Sequence, residues 1–308
     1  MNKLSTSQIR YLKSQNLKEY FERFPFYVWE RLKFHAENPK ISQLRETTLN
    51  EIFWDGLLNL MNLPLNFRLF HSTKEKVNGN DFEIFLEVKP GKFIYFPCQA
   101  KKIYINGEYE AISHPVGKYD KREQILNLID YAEKVKGLPI YLFFNFTKQN
   151  FDTADLQKEL YGCSFVDAFF IKNKYFDDGM NKLKTVFFQN IHPPAIPLIS
   201  ILDLIDSDFP KSLEMIFSEI ATLPKLKFYS EPELLISSNF FEVNPNKDKK
   251  KSMFIPTNEL KSLWAEEHKT FSSDFLPRYR ILITINSIEK RIIDILPKIN
   301  IVQNEQFN

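Results

Sequence analysis

The sequence predicts an α/β protein whose core has the element order helix, three strands, helix, strand around a mixed sheet. Three features support this prediction. Apolar residues recur at helical spacing before and after a β-rich region. Within that region, two apolar runs flank a Pro-Gly turn, which is typical of a β-hairpin. After the second helix, PIYLFFNF (139–146) is apolar at nearly every position, which indicates a central strand covered on both faces.

The first forty residues are predicted to be helical. Helical spacing runs through residues 17–24, and we expect Pro25 to interrupt the helix because proline has no backbone N–H to donate. The spacing resumes over residues 28–32. The first core helix is predicted from about residue 45 to residue 62, where the apolar residues again form a stripe.

Three strands follow this helix. They are predicted at NFRLFHS (66–72), FEIFLEV (82–88) and FIYFPCQAKKI (93–103), with a Lys-Pro-Gly-Lys turn (89–92) between the last two. The next helix is predicted over residues 121–136, with Gly137 and then Pro139 ending it.

The character of the chain changes after the prolines at 193–197. We therefore predict a domain over residues 1–198, with an α+β C-terminal extension of unknown role over residues 199–308. In that extension, SILDLI (200–205) and SLEMIFSEI (212–220) are expected to be helical, and RILITI (280–285) is expected to be a strand.

Composition limits the possible functions. The 41 basic and 39 acidic residues nearly cancel, so any nucleic-acid contact must come from a local patch. Two cysteines, Cys98 and Cys163, are too few for a disulfide framework or a zinc site. No run of 18 apolar residues occurs, and eight glycines leave little room for Gly-rich phosphate loops. We expect a soluble cytoplasmic protein that does not bind a membrane.

The predicted hairpin brings polar side chains together. If its strands pair across the Pro-Gly turn, Asp81 lies near Gln99 and Lys101, which share a strand face. Carboxylate and amide oxygens suit Mg²⁺, and a lysine beside the ion can orient water and stabilise charge on a phosphoryl group. Each residue also has a plainer interpretation. Asp81 can begin a strand after the Asn-Gly turn, and Gln99 and Lys101 can form the solvated face of an edge strand.

The motif resembles a known nuclease site. "GND" (79–81), followed eighteen residues after its Asp by "QAKK" (99–102), resembles the metal site of the PD-(D/E)xK nuclease superfamily in its QxK variant, as in Mrr-like restriction endonucleases. The segments "RETT", "GNDFE", "CQAKK", "PIYLFFN" and "YGC" also resemble an uncharacterised bacterial family of that superfamily. The resemblance covers roughly residues 42–170. It implies a restriction-endonuclease-like core with Mg²⁺ or Mn²⁺ as cofactor.

The resemblance also implies roles for individual residues. Asp81 and Gln99 would be metal ligands and Lys101 the catalytic lysine. A helix Glu would complete the metal site. Glu46 in "RETT" matches the pattern better, whereas Glu51 has a structural role available in a capping box with Thr48. The sequence departs from the usual variant at Glu83, which is a possible extra acid at the site.

Two residues near the second core helix are candidates for substrate binding. In the superfamily that the motif resembles, the region around Tyr119 and Gln124 borders the substrate, although a glutamine in the position of Gln124 is more often an ordinary surface residue. The basic run KDKKK (247–251) is either a solvated loop or a contact with the phosphate backbone.

We therefore expect a metal-dependent endonuclease that hydrolyses phosphodiester bonds. The resemblance implies that the substrate is DNA and that the role is bacterial defence against foreign DNA. The alternative is a non-cleaving nucleic-acid-binding or regulatory module with the same fold. Expected partners are the nucleic acid and either a second copy of the chain or another defence protein. Cutting two strands with one active site per chain favours a dimer.

Overall fold

The computed structural model describes the helices, the central strands and several connections between them. The described residues are 14, 16–41, 44–60, 67–72, 81–109, 112, 115–116, 122–153, 156–175, 186–192, 194–205, 240–243, 254–256 and 279–283. Of the predictions above, Tyr119, the helix at 212–220 and the basic run at 247–251 lie outside these residues.

Helices and short 3₁₀ segments cover the sheet. The α-helices are α1 (Leu17–Glu37), α2 (Glu46–Leu60), α3 (Gln124–Val135), α4 (Ala168–Tyr175) and α5 (Phe188–Ile191), and the 3₁₀ segments are Lys158–Gly162 and Leu198–Leu204. The strands are β1 (Phe67–Ser72), β2 (Phe82–Lys89), β3 (Lys92–Lys102), β4 (Glu108–Tyr109), β5 (Pro115–Val116), β6 (Arg122–Glu123), β7 (Ile140–Phe144), β8 (Cys163–Asp167), β9 (Val186–Phe187), β10 (Ile196–Pro197), β11 (Phe240–Val243), β12 (Phe254–Pro256) and β13 (Tyr279–Ile283).

The protein is α/β with a mixed sheet, as predicted. Among the described residues the main sheet has nine strands, in the order β10-β8-β7-β3-β2-β13-β1-β11-β12. The β2–β3 hairpin is antiparallel, and β7 runs parallel to β3. The predicted chain order of helix, three strands, helix, strand is found in α2, β1 to β3, α3 and β7; among the described residues, the other strands between these elements are two residues long.

The C-terminal part of the chain contributes to the same sheet. β13 lies between β1 and β2, antiparallel to the first and parallel to the second. Consecutive strands of the predicted core are therefore not all neighbours. The sheet continues across residue 198, while the division of the chain into two domains at that point stays a prediction.

Helix α1 corrects the prediction that Pro25 interrupts it. The helix continues through Pro25, although a proline in a helix interior costs about 3 kcal/mol. Burial outweighs this cost, because Phe21 and Phe24 are fully buried and the helix packs against the 3₁₀ segment Lys158–Gly162. Gly162 permits the close approach, since a Cβ there would lie 2.1 Å from the Pro25 carbonyl oxygen.

The predicted capping box of α2 is wrong. The helix begins at Glu46, so Thr48 lies inside its first turn, and the N–H of Leu49 donates to the carbonyl of Arg45 at 3.2 Å. The apolar face of α2 sets this phase because Leu49 and Phe53 are buried against α1 and the sheet.

The end of α3 also differs in detail from the prediction. Lys136, with φ of 53°, is the left-handed residue that closes the helix, and the N–H of Gly137 donates to the carbonyl of Ala132 at 2.9 Å. Gly137 is needed for a different reason, since a Cβ there would lie 2.7 Å from the carbonyl oxygen of Tyr95. This contact fixes α3 on the hairpin.

The two faces of the hairpin pack against different helices. Phe82, Ile84 and Leu86 of β2 join the main core below α1 and α2. Phe85 and Tyr95 join a smaller cluster with Tyr131 of α3. None of the described helices has the length and apolar character needed to cross a membrane.

Candidate metal-binding and catalytic site

Asp81 and Gln99 meet directly across the hairpin. Phe82 pairs with Cys98, so the next position toward the start of β2 places Asp81 opposite Gln99. The backbone N–H of Asp81 donates to the carbonyl of Cys98 at 2.8 Å. Asp81 Oδ2 accepts from Gln99 Nε2 at 2.5 Å and from the N–H of Ala100 at 2.9 Å. The sequence prediction of this proximity is confirmed.

Gln99 extends the contact to α3. Its side chain is almost fully buried, and its Oε1 accepts from Gln124 Nε2 at 2.7 Å. Gln124 is the first residue of α3, and its own Oε1 is buried without a hydrogen-bond partner. A continuous line of amide and carboxylate groups therefore runs from α3 to the start of β2.

Lys101 follows Gln99 on the same face of β3, with a side chain that is only 5% exposed. Within the described part of the chain, no ion pair joins this ammonium to Asp81 or Glu46. Its charge nevertheless acts on Glu46, where it is the strongest electrostatic influence on that carboxyl.

Glu46 approaches the end of β3 from α2. It is the first residue of the helix, and its Oε2 accepts from the N–H of Lys102 at 3.2 Å. Burial raises the pKa of Glu46, and the charge of Lys101, the N–H of Lys102 and the charge of Lys102 oppose that rise.

Glu51 lies elsewhere on the same helix. Its side chain is exposed, and its charge contributes to raising the pKa of Asp55 one turn later, after the larger effect of burial. Of the two acids that the sequence left open, Glu46 is therefore the one that contacts the hairpin.

Glu83 is placed differently from the expectation of an extra acid beside Asp81. It is fully buried, and its Oε1 accepts from the hydroxyl of Tyr95 and, at 2.9 Å, from the hydroxyl of Tyr131. These two phenols hold the carboxylate under α3, which makes Glu83 part of the packing between helix and sheet.

The donor atoms at Asp81, Gln99 and Glu46 are those that Mg²⁺ prefers in proteins. As arranged, Gln99 presents its NH₂ group to Asp81 and its oxygen to Gln124. A 180° rotation of both side-chain amides would present the Gln99 oxygen to the Asp81 carboxylate. The Gln99 NH₂ would then donate to the Gln124 Oε1, which has no partner in the present arrangement. The rotation would turn two oxygens, one from Asp81 and one from Gln99, toward a divalent cation. It would keep a hydrogen bond between Gln99 and Gln124 and give up those from Gln99 Nε2 to Asp81 and to the Ala100 carbonyl, which cation binding would have to offset.

A site built only from His, Cys, Asp and Glu is not found, since no group of three or more such residues that could hold a metal occurs among the described residues. A set of two carboxylates and one amide is a different kind of site. Cys98 and Cys163, both buried and unbonded to each other, contribute to packing instead.

Comparison with protein families identifies one match, a family of unknown function (DUF6615), over residues 17–287. The chain belongs to the DUF6615 family. The match runs from the start of α1 to beyond β13, so it includes the candidate site residues Glu46, Asp81, Gln99, Lys101 and Gln124. Neither the comparison with curated proteins nor the comparison with solved structures found a match.

In this DUF6615 protein, sequence reasoning missed the contribution of Lys102. Its backbone N–H holds Glu46, and its side chain, which points away from Lys101, lies over the ring of Tyr104 at 4.1 Å from the ring centre. The alternation of side chains along β3 was the available signal, because it places Lys101 and Lys102 on opposite faces of the sheet.

Proposed function

We propose that this protein is a Mg²⁺- or Mn²⁺-dependent nuclease that hydrolyses phosphodiester bonds, with DNA as the substrate and defence against foreign DNA as the role. The observation that carries the proposal is the convergence of Asp81, Gln99, Lys101 and Glu46 at the end of one hairpin. The antiparallel hairpin with a parallel strand beside β3 also accords with the resemblance to the PD-(D/E)xK superfamily and with a restriction-endonuclease-like core. The choice of DNA and of defence rests on that resemblance alone.

Each residue has a chemical task in this proposal. Asp81, Gln99 and Glu46 would hold the cation, which when bound polarises the phosphate and makes water more acidic. Lys101 places a positive charge where negative charge develops on the phosphoryl oxygens. Glu46 has a pKa raised by burial and lies near an ammonium, so its carboxylate is suited to accept a proton from the attacking water.

A non-cleaving nucleic-acid-binding or regulatory module is the second candidate. It is favoured by the hydrogen bonds of Asp81 Oδ2, which already accepts from two protein donors, Gln99 and Ala100. For a carboxylate held in this way, closing the hairpin is a sufficient role, and no bound cation is needed to explain it. On either proposal, the near-neutral net charge of +2 means that a local surface makes the contact with nucleic acid.

The two candidates are separated by incubating the purified chain with supercoiled plasmid and with RNA in Mg²⁺, in Mn²⁺ and in EDTA. We expect nicking or linearisation of the plasmid in metal and none in EDTA. Lys101→Ala should lower the cleavage rate by about 10²-fold or more while substrate binding persists. Lys92→Ala is a matched control, because Lys92 is an exposed lysine at the opposite end of the same hairpin.

Binding of plasmid without cleavage in either metal would support the module. A Lys101→Ala protein that cuts at the wild-type rate, with EDTA stopping the wild type, would remove this lysine from the mechanism. Cleavage of RNA alone would correct the substrate. The size of the protein in solution with and without DNA tests the predicted homodimer, and expression with a candidate defence protein tests the alternative partner.

A further inference from the structure

A pocket of about 330 Å³ lies beside Lys102 on the α1 side of the sheet. Its lining comes from α1, from the segment after β3, from the segment after β7 and from the β9–α5 region. Lys102 is the last residue of β3 and its N–H holds Glu46, so the pocket lies at the same end of the strand as Lys101 but on the opposite face of the sheet. The volume falls in the range typical of small-molecule sites.

The charge of the pocket is positive. The described residues that line it include no Asp or Glu, but they include Lys102, Lys148 and His35. Lys102 is only 4% exposed, and its ammonium lies over the ring of Tyr104. Lys148 is exposed at the rim. A cavity with two lysines and no lining carboxylate favours an anionic ligand.

His35 is the second indication of a ligand. Its side chain is 7% exposed, and neither ring nitrogen has a hydrogen-bond partner in the described part of the chain. Buried polar groups in proteins are nearly always hydrogen-bonded, so two unpartnered nitrogens on a residue that lines the pocket call for a partner that the described residues do not supply. Burial lowers the pKa of His35, and the charges of Arg31 and Lys102 lower it further, so the neutral ring offers one donor and one acceptor.

The rim of the pocket is apolar and exposed. Phe187 and Ile105 are 41% and 39% exposed, which is unusual for large apolar side chains. A flat aromatic group can pack against this rim while an attached anion reaches the lysines.

We propose that this pocket binds a single nucleotide, with the base against Phe187 and Ile105 and the phosphate toward Lys148 and Lys102. His35 supplies the hydrogen-bonding nitrogens. Resting on the proposed nuclease function, the nucleotide belongs to the strand that crosses the end of β3, with the phosphate that is cut on the Lys101 side of the sheet and this nucleotide on the Lys102 side. The pocket then selects strands with an accessible, unstacked nucleotide at that position.

The test is calorimetric titration of the full chain in EDTA, so that cleavage plays no part. The probes are 5′-AMP, adenosine and inorganic phosphate. We expect 5′-AMP to bind at least about tenfold more tightly than either fragment, since the base and the phosphate each add contacts that the other fragment lacks.

Two exposed variants locate the site without threatening the fold. Lys148→Ala and Phe187→Ala should each weaken 5′-AMP binding about tenfold. Lys158→Ala should bind as the wild type does, because Lys158 is an exposed lysine that does not line the pocket. Circular dichroism of each variant checks that the fold is retained.

Several results would overturn the proposal. These are no saturable binding of 5′-AMP at millimolar concentration, phosphate or adenosine binding as tightly as 5′-AMP, and full binding by both rim variants. Binding of 5′-AMP by a chain that cuts no nucleic acid would refute the nuclease and leave the nucleotide pocket standing, so the two failures are distinguishable.

Discussion

The role of Asp81 can be separated from its contribution to the fold by comparing two substitutions. Asp81→Ala removes the acceptor of two hydrogen bonds. The N–H of Ala100 is fully buried and loses its partner there, at a cost of about 1–3 kcal/mol. Gln99 Nε2 keeps its bond to the carbonyl of Ala100, so its loss lies near the lower end, about 1 kcal/mol. Together the expected loss is roughly 2–4 kcal/mol in the free energy of unfolding.

Asp81→Asn keeps an oxygen for the Ala100 N–H. The same oxygen can accept from Gln99 Nε2, because both donors bond to Oδ2 in the wild type, and the new NH₂ takes the place of Oδ1. We expect the Asn variant to lie within about 1 kcal/mol of the wild type, yet to lose cleavage by about 10²-fold or more because it lacks the charge that binds the cation.

Urea denaturation in EDTA measures the first quantity, and plasmid cleavage in Mg²⁺ measures the second. Mg²⁺ should raise the urea midpoint of the wild type but not that of Asp81→Asn, because a ligand that binds only the folded state stabilises it. Asp130→Asn, at a half-buried aspartate of α3, is the matched control. An Ala variant as stable as the wild type would refute the hydrogen bonds, and an Asn variant that cuts normally would refute the metal ligand.

Three further predictions concern stability. Burial raises the pKa of Asp167 from 3.8 to about 7, so the free energy of unfolding should fall by roughly 4 kcal/mol as the pH rises from about 4 through about 7. Asp167→Asn should remove this decline, as measured by urea denaturation at pH 4 and at pH 8. An unchanged decline in the variant would contradict the assignment to Asp167. Glu46→Gln should likewise raise the free energy of unfolding at pH 8 but not at pH 4, since burial raises the pKa of Glu46. A lower urea midpoint for the variant than for the wild type at pH 8 would contradict this prediction. Gly162→Ala should lower the free energy of unfolding by about 1–3 kcal/mol or more, because the new Cβ meets the Pro25 carbonyl. Gly91→Ala has open space around the new Cβ and should lose only about 1–2 kcal/mol, through the left-handed φ of 69° at that position. Equal urea midpoints for the wild type and Gly162→Ala would show that α1 can move away from residue 162.

The parts of the fold that depend on residues close together in the sequence were predictable from the sequence. The Pro-Gly turn determines the register of the β2–β3 hairpin, and this register alone places Asp81 opposite Gln99. The helix through Pro25 was not predictable in the same way, because its cause is burial against residues 158–162, more than a hundred positions away. The position of β13 beside β2 has the same kind of cause.

The site shows the same limit. Choosing Glu46 over Glu51 requires the phase of α2, and this phase is set by which side chains are buried under α1. Strand alternation correctly places Glu83 on the same face as Asp81, but it does not reveal that Tyr131 of α3 covers that face two residues further along. His35 gave no signal in the sequence, because a single histidine on an apolar helix face usually belongs to the core.

The place of β13 in the sheet has a consequence for biosynthesis. β2 carries Asp81 at its start, and it gains its second hydrogen-bonded neighbour only when Tyr279–Ile283 pairs with it. On the ribosome, nearly two hundred residues must therefore be added after β2 before this edge is closed. A nascent chain that stops earlier exposes the edge of a strand that is buried in the complete protein. An exposed edge of this kind can bind chaperones or pair with another chain and aggregate. A nuclease assembled in this order would stay incomplete while it is still being translated, close to the nucleic acids of its own cell.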